Sequence, residues 1–470
     1  MADLAGGQYD AVIIGAGIGG LVCGCYLAKA GMKVLIAEQH SRPGGYCTSF
    51  RRQGFTFDAG PHCFGSYREG GVTRKIAREL GIEDRLNVVR PDPTDILITP
   101  GYEVPFRRDL DSTIGEFRTR FPAEKKTAGF FHALLDTDPA SFSRMRSLSF
   151  RELLDRYFDN EDLKLILSYP LLGIAGLPSS RVSAFVGAKL FSEFLLDGGY
   201  YPVGGMQVLS DSLAQLFSEH GGDLLLSGLV TGISVNDRAV TGIEIKDRGF
   251  IQSKYVISDC DAKQTFLRLI NRDCVDPEFI HRLEGMTVSL SNFIAYLGLD
   301  STFSSSQKPG TTYSVLCHND LQRAYQAASA GDITGYGGYM FRVSHDSSVM
   351  IVIIPTACRD RQYWQENKYS LLESVINAVE EHSVPGLKRH IVFREAATPH
   401  TLQRYTLNDS GSSFGWAGLS SQFGVPGLRK PPFVRNLYLT GHWSTLGSGI
   451  SGTAYVGSDT ARMILRKEKH

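Results

Sequence analysis

Four glycines fall in a run of six residues, Gly15-Ala16-Gly17-Ile18-Gly19-Gly20, between a β-rich segment, Tyr9 to Ile14, and an apolar helix candidate, Leu21 to Ala30. Their chemistry is that of the bare backbone. Gly15 permits a tight turn, Gly17 lets the main chain approach a pyrophosphate, and Gly20 lets the helix pack closely on the strand before it. Unpaired N–H groups at the start of that helix, with its dipole, then favour phosphate. A second strand, Met32 to Ala37, leads to Glu38, which stands 18 residues beyond Gly20. A carboxylate there accepts hydrogen bonds from a ribose and repels a 2′-phosphate. Strand, glycines, helix, strand and acid in this order point to a dinucleotide, without separating FAD from NAD.

The elements that would position such a site extend along the whole chain. After Glu38 and Gln39 come Gly44, Gly45 and Tyr46, and an extended run from Phe55 ends in Gly60-Pro61-His62. In the middle, Tyr201-Pro202-Val203-Gly204-Gly205 precedes a helix candidate over 209–219, then strands over 224–235, which contains Val230, and 240–246, joined by a hairpin-like Asn236-Asp237-Arg238. A further buried strand is expected over 254–258, and another over 348–354. Near the end, a strand from Asn436 runs into Gly441 and His442. The glycine-rich stretch Gly447 to Gly452, which holds Gly449, Ile450 and Ser451, then precedes a helix candidate over 453–465. Thr398-Pro399-His400-Thr401 with Arg404 and Tyr405, followed by Gly411 to Trp416, forms one more distinct motif.

Taken together these segments resemble the FAD-dependent phytoene desaturase, carotenoid isomerase and retinol saturase family, within the amine oxidase-like flavoprotein superfamily. The Thr398–Trp416 motif discriminates most, because ordinary amine oxidases do not usually share it. The resemblance implies an α/β fold: a Rossmann-type FAD-binding domain with a discontinuous α+β substrate domain. The implied boundaries are 1–80, 200–285 and 432–470 for the first and 81–199 and 286–431 for the second. It implies FAD as cofactor, held by Gly15, Ala16, Gly17, Ile18, Gly19 and Gly20 at the pyrophosphate, and by Glu38 and Gln39 near the ribose. Gly44, Gly45, Tyr46, Gly60, Pro61 and His62 would follow the cofactor toward the flavin, the backbone of Val230 would read the adenine, and Gly441, His442, Gly449, Ile450 and Ser451 would close the flavin end. Two departures stand out. Tyr46 replaces the arginine most members carry after the double glycine, and His442 stands where many flavoproteins place an aspartate.

The activity implied is desaturation, saturation or isomerisation of an apolar polyene, with oxygen or a quinone as electron acceptor, or with the electrons returned to the substrate. Only one dinucleotide fingerprint is present, which argues against a separate NADPH site. His62 and His442 are the candidate acid–base groups, although hydrogen bonding to the cofactor or backbone explains either equally. Tyr405 and Trp416 are candidates for an apolar tunnel or for plain core. Cys47 and Cys63 lack the context of a flavin attachment site. Two other readings stay open: an amine or amino-acid oxidase on the same fold, and a prenyl-lipid escort without flavin chemistry.

Composition bounds the rest. The chain has 470 residues, 42% hydrophobic and 21% charged, with 49 basic against 49 acidic side chains. That is an ordinary globular composition for two or three domains, and its zero net charge argues against general affinity for nucleic acid. Eight cysteines without a CxxC pair read as reduced core residues in a cytoplasmic protein, and no spacing suggests a metal site. The apolar run Ala11 to Ala28 is too glycine-rich, and lacks the basic flank, for an export signal. An apolar substrate would have to come from a bilayer or carrier. The amphipathic stretch Phe185 to Leu196, with Phe191, Phe194 and Leu195 at helical spacing, either contacts that bilayer peripherally or packs inside a helical layer.

Overall fold

The computed structural model describes residues 7–136, 144–304, 306–422, 425–445 and 449–469. Two seven-stranded sheets organise them. In the first, β1 (Gln8–Ile14) lies between β2 (Val34–Ala37) and the strand Gly249–Ser258, parallel to both, with Asp223–Leu225 parallel on the far side of β2. All four residues of β2 are buried, as a parallel strand covered on both faces requires. On its other edge Gly249–Ser258 pairs antiparallel with Ala239–Ile245 and parallel with Leu437–Leu439. Ala239–Ile245 pairs antiparallel with Val230–Asn236; between them Asp237 and Arg238 take φ of 47° and 58°, the left-handed pair that matches strand twist in a two-residue hairpin.

The strand expected over 224–235 is broken into Asp223–Leu225 and Val230–Asn236. The break serves the site. Ser227 N–H donates to the His40 carbonyl at 3.0 Å and Gly228 N–H to the Glu38 carbonyl at 2.8 Å, so the turn closes over the acid that ends β2.

Helix α1 (Ile18–Lys29) follows the glycine run directly, and 10 of its 12 residues are buried. A helix apolar all round must be covered all round. It packs on Gln207–Glu219 and on the C-terminal helix Ile450–Glu468. The second contact is backbone to backbone: a Cβ on Gly457 would stand 2.5 Å from the Gly19 carbonyl.

The second sheet runs Ile391–Ala397, Ser291–Leu299, Val349–Thr356, Gly338–Val343, Thr312–Leu316, Asp95–Thr99, Tyr102–Phe106. Every pairing is antiparallel except that of Thr312–Leu316 with Asp95–Thr99. Strand alternation divides its faces. Phe293, Leu297, Val352 and Phe341 pack with Leu372, Val375 and Ile376 of helix Arg361–His382, while Ile294, Ile353 and Met340 point to the other side.

A helical layer, which includes Phe150–Tyr157, Glu161–Ala175 and Ala184–Leu190, completes the substrate side. The last of these continues as a wider turn, Phe191–Leu196. Phe191 is 0% exposed with its ring stacked on Phe150 at 5.4 Å, and Leu195 is buried. The segment offered as a bilayer contact therefore packs inside, because its apolar residues meet the aromatic cluster of this layer. Among the described residues no helix is long and apolar enough to cross a membrane.

Candidate functional site

A cavity of about 340 Å³ is lined from both sheets. Its first wall is the end of β1 and the start of α1. Gly15, Gly17 and Ile18 line it, and Gly15 turns the chain at φ 99°, where a side chain would be strained. Gly44 N–H donates to the Ala16 carbonyl at 2.7 Å, which brings Gly44, Gly45 and Tyr46 into the same wall.

Glu38 and Gln39 line the cavity beside them, with Val230 facing them from the antiparallel ribbon. Glu38 accepts from Ala16 N–H at 2.8 Å and from His40 N–H at 2.7 Å, one to each oxygen. The Gln39 amide also hydrogen-bonds this carboxylate, which still leaves acceptor capacity for a hydroxyl. Burial raises the pKa of Glu38 above the ordinary carboxylate value, against the pull of these amides. Gln39 holds the Tyr405 carbonyl at 3.1 Å.

Five of the expected cofactor residues stand behind this wall. Ala16 contributes its N–H to Glu38. Gly19 and Gly441 press together so closely that a Cβ on Gly19 would lie 2.7 Å from Gly441, and a Cβ on Gly20 would strike the Gly15 carbonyl. Their glycine character serves close packing. Ser451 is buried in the first turn of the C-terminal helix, while Gly449 and Ile450 reach the cavity. Gly447 lies outside the described residues.

At the other end of this half, Gly60, Pro61, His62 and His442 line the cavity. Burial, helped by the charge of Arg342, pulls the His62 pKa down to about 3, and burial alone pulls that of His442 down to about 4. Both imidazoles are neutral at physiological pH. His442 Nε2 is buried and has no hydrogen-bond partner among the described residues. Tyr46 stacks on the His442 ring at 6.3 Å and donates its hydroxyl to the carbonyls of Ser412 at 2.9 Å and Gly411 at 3.2 Å. The tyrosine that replaces an arginine thus bolts the Thr398–Trp416 segment to the glycine pair.

Trp416 is not a tunnel residue. It is 0% exposed, edge-on to Trp443 at 4.9 Å, and its Nε1–H donates to the Trp443 carbonyl at 2.9 Å, since a buried indole needs an acceptor. Tyr405 does line the cavity. Burial pushes the thiols of Cys47 and Cys63 up to about 12 and about 11, which leaves both protonated and unreactive.

Two acids in the cavity wall escaped the sequence reading. Asp259, directly after Gly249–Ser258, aims its carboxyl at the amides of Gly17 and Gly20. A Cβ on Gly17 would come within 2.5 Å of its Oδ2. Burial first, and Glu38 second, push its pKa up to about 8. Its position after a buried strand that pairs with β1 was the available signal. Asp95 lies across the cavity on the second sheet, in a wall where Ile174, Leu195, Ile294, Met340, Ile353 and Leu402 stand with the polar Asn292, Thr312 and Ser314.

This architecture suits FAD on two observations: a helix start stripped of side chains beside a ribose-type acid, and a buried imidazole nitrogen in the cavity wall without a partner among the described residues. The comparisons agree. The flavin containing amine oxidoreductase family model matches residues 18–265. The prolycopene isomerase of Daucus carota is 26% identical over 96% of this chain and 79% of that protein, and the all-trans-retinol 13,14-reductase of Danio rerio is 25% identical over 98% and 86%. Among solved structures, an oxidoreductase from Methanosarcina mazei superposes with TM-score 0.66 at 16% identity over 98% of this chain and all of that one. Putrescine oxidase bound to putrescine does so with TM-score 0.66 at 15% identity, over 98% and 99%.

Proposed function

Because this chain belongs to the flavin containing amine oxidoreductase family and is an FAD-dependent oxidoreductase, we propose that its substrate is an apolar polyene of carotenoid or retinoid type, which it desaturates, saturates or isomerises. The observation that carries this is the cavity wall in which aliphatic side chains of Ile174, Leu195, Ile294 and Ile353 are contributed by both the helical layer and the second sheet. Such a wall binds hydrocarbon by burial, at roughly 25 cal/mol per Å² of apolar surface removed from water. The relatives that span nearly the whole chain carry names of polyene chemistry, which supports the same reading.

FAD, when bound, supplies a site that takes or gives hydride. Gly15, Gly17 and Ile18 would hold its pyrophosphate at the start of α1, Glu38 its ribose, and Val230 its adenine through the backbone. Gly60, Pro61, Gly449 and Ile450 would flank the flavin. His62 and His442 enter as neutral hydrogen-bonding groups; the Nε2 of His442, without a partner among the described residues, would donate to, or accept from, a reacting partner. No basic side chain is needed if charge developing on the substrate spreads along its conjugated bonds. The electrons leave to oxygen or a quinone, or return to the substrate when the net reaction is isomerisation. Residues 1–80, 200–285 and 432–470 then serve the cofactor, and 81–199 and 286–431 the substrate. An apolar substrate would be collected by a cytoplasmic enzyme through peripheral contact with a bilayer or carrier.

An amine or amino-acid oxidase is the second reading, favoured by one observation, the carboxyl of Asp95 in the substrate wall. Aerobic incubation separates the two. Chromatographic conversion of a polyene without peroxide release from amines supports the proposal; stoichiometric hydrogen peroxide from an amine, with polyenes untouched, refutes it.

A further inference from the structure

Three neighbouring strands of the second sheet place Arg342, Thr312 and Asp95 in one row. Thr312 pairs with Arg342 on one side and with Asp95 on the other, so the three side chains leave the same face of the sheet. All three are buried, at 6%, 3% and 8% exposure, and Thr312 and Asp95 line the cavity. The next row on this face pairs Ser314 with Met340, and both line it too. The wall therefore changes character along the sheet, from Ile294 and Ile353 to Thr312, Ser314 and Asp95. Four strand spacings separate Ser291–Leu299 from Asp95–Thr99 in the order of the sheet, about 19 Å at ~4.8 Å each.

The polar end is not consumed by the fold. The hydroxyls of Thr312 and Ser314 make no hydrogen bond within the protein among the described residues. Asp95 forms no ion pair among them, and its side-chain partner is Thr94. Arg342 is turned elsewhere: it donates to the His62 carbonyl, stands 3.4 Å from His345 Nε2 and lies over the Tyr201 ring at 4.7 Å. A buried acid with no ion pair among the described residues, beside the free hydroxyl of Thr312 in its own row and that of Ser314 in the next, is costly unless something polar meets it.

Resting on the polyene reading, we propose that Asp95 is a specificity-determining residue that, with Thr312 and Ser314, binds an uncharged hydroxyl at one end of the substrate's apolar chain. The substrate class is then a polyene alcohol. Burial pushes the Asp95 pKa up to about 7, with Arg342 and Arg90 pulling the other way. In its neutral form the carboxyl both donates to and accepts from a hydroxyl. An ammonium in that corner would face the Arg342 charge, and a carboxylate would face Asp95.

The test uses the FAD-loaded protein and three probes that share one polyene chain: all-trans-retinol, the hydrocarbon lacking its hydroxyl, and the corresponding primary amine. Binding is read from perturbation of the flavin absorbance. The wild type is expected to hold the alcohol at least about tenfold tighter than the hydrocarbon, the scale of one good hydrogen bond to a buried acid. Asp95→Leu should bring that ratio to about one, while Asp95→Asn, which still donates and accepts, should retain most of it. Equal binding of alcohol and hydrocarbon by the wild type overturns the head-group site and leaves the polyene reading standing. Tightest binding of the amine, lost in Asp95→Asn, overturns it in favour of ammonium recognition. Failure of all three probes to bind overturns both the site and the polyene reading.

Discussion

At the Gly15–Glu38 wall the cavity is shaped by main chain: a φ of 99° at Gly15, amides at the head of α1, and two N–H groups tied to Glu38 at 2.8 and 2.7 Å. At the Asp95–Ile353 wall it is shaped by side chains that five strands from distant parts of the sequence bring to one face. The first wall recognises a ligand through groups every residue has, so it tolerates no Cβ where the ligand must approach. The second recognises through residue identity, so one substitution there alters selectivity without touching the cofactor. The two walls should therefore fail in different ways.

The largest effect is expected outside both, in the helical layer that backs the substrate wall. Phe191→Asp puts a carboxylate at a position 0% exposed and stacked on Phe150, a loss of more than about 4 kcal/mol by burial of an unpaired charge. Unfolding by circular dichroism, or absence of soluble protein, is the expected result. A folded variant with normal FAD content would place the segment at a surface instead.

Gly17→Val should leave the fold intact and abolish FAD binding, since its Cβ alone comes within 2.5 Å of Asp259 Oδ2 and the branched methyls take the phosphate space. Wild-type protein should be yellow, with FAD released by heat; a folded Gly17→Val protein that stays yellow would mean the phosphates lie elsewhere. Glu38→Ala sits lower. It removes a charged acceptor from Ala16 and His40 N–H and from the ribose, and should weaken FAD by about 1.5–3 kcal/mol, roughly ten- to a hundredfold in Kd by fluorescence titration.

The smallest effect sharpens the comparison through pH. The Asp259 pKa of about 8 lies above that of a carboxyl in an unfolded chain. The folded apoprotein thus holds an extra proton between the two values, and the stability this group contributes is full at acid pH and gone above about pH 8. A pyrophosphate nearby opposes the charged form further. FAD affinity should be flat below about pH 8 and fall above it, by at most about tenfold per unit for one proton. Asp259→Asn should remove that fall; a slope unchanged in the variant would assign the titration to another group.

The same contrast explains what the sequence could tell. Gly15 to Gly20, Glu38 and the Asp237–Arg238 turn act through contacts made within one strand–turn–helix or hairpin, so spacing along the chain was enough to read them. Trp416 could not be sorted between tunnel and core because its partner, Trp443, is a tertiary one. Phe191 could not be sorted between bilayer and interior for the same reason: helical spacing fixes a face and not what covers it. Asp95 was invisible because it becomes a wall residue only through pairing with Thr312, and Asp259 offered one cue alone, its place after the strand expected over 254–258, whose parallel pairing with β1 puts it in the wall. Splitting the strand expected over 224–235 needed the Gly228 bond to the Glu38 carbonyl, again a long-range contact.

Under the proposed function, the flavin of this protein exchanges hydride with a polyene. Oxidised and photoreduced holoprotein, mixed without oxygen with polyenes and, separately, with amines, tests it when the flavin and polyene spectra are followed together. A polyene is expected to bleach the oxidised flavin, restore the reduced one, or change geometry only on the reduced enzyme, while amines leave both forms unchanged. Bleaching of the oxidised flavin by an amine, with every polyene inert toward both forms, would contradict it.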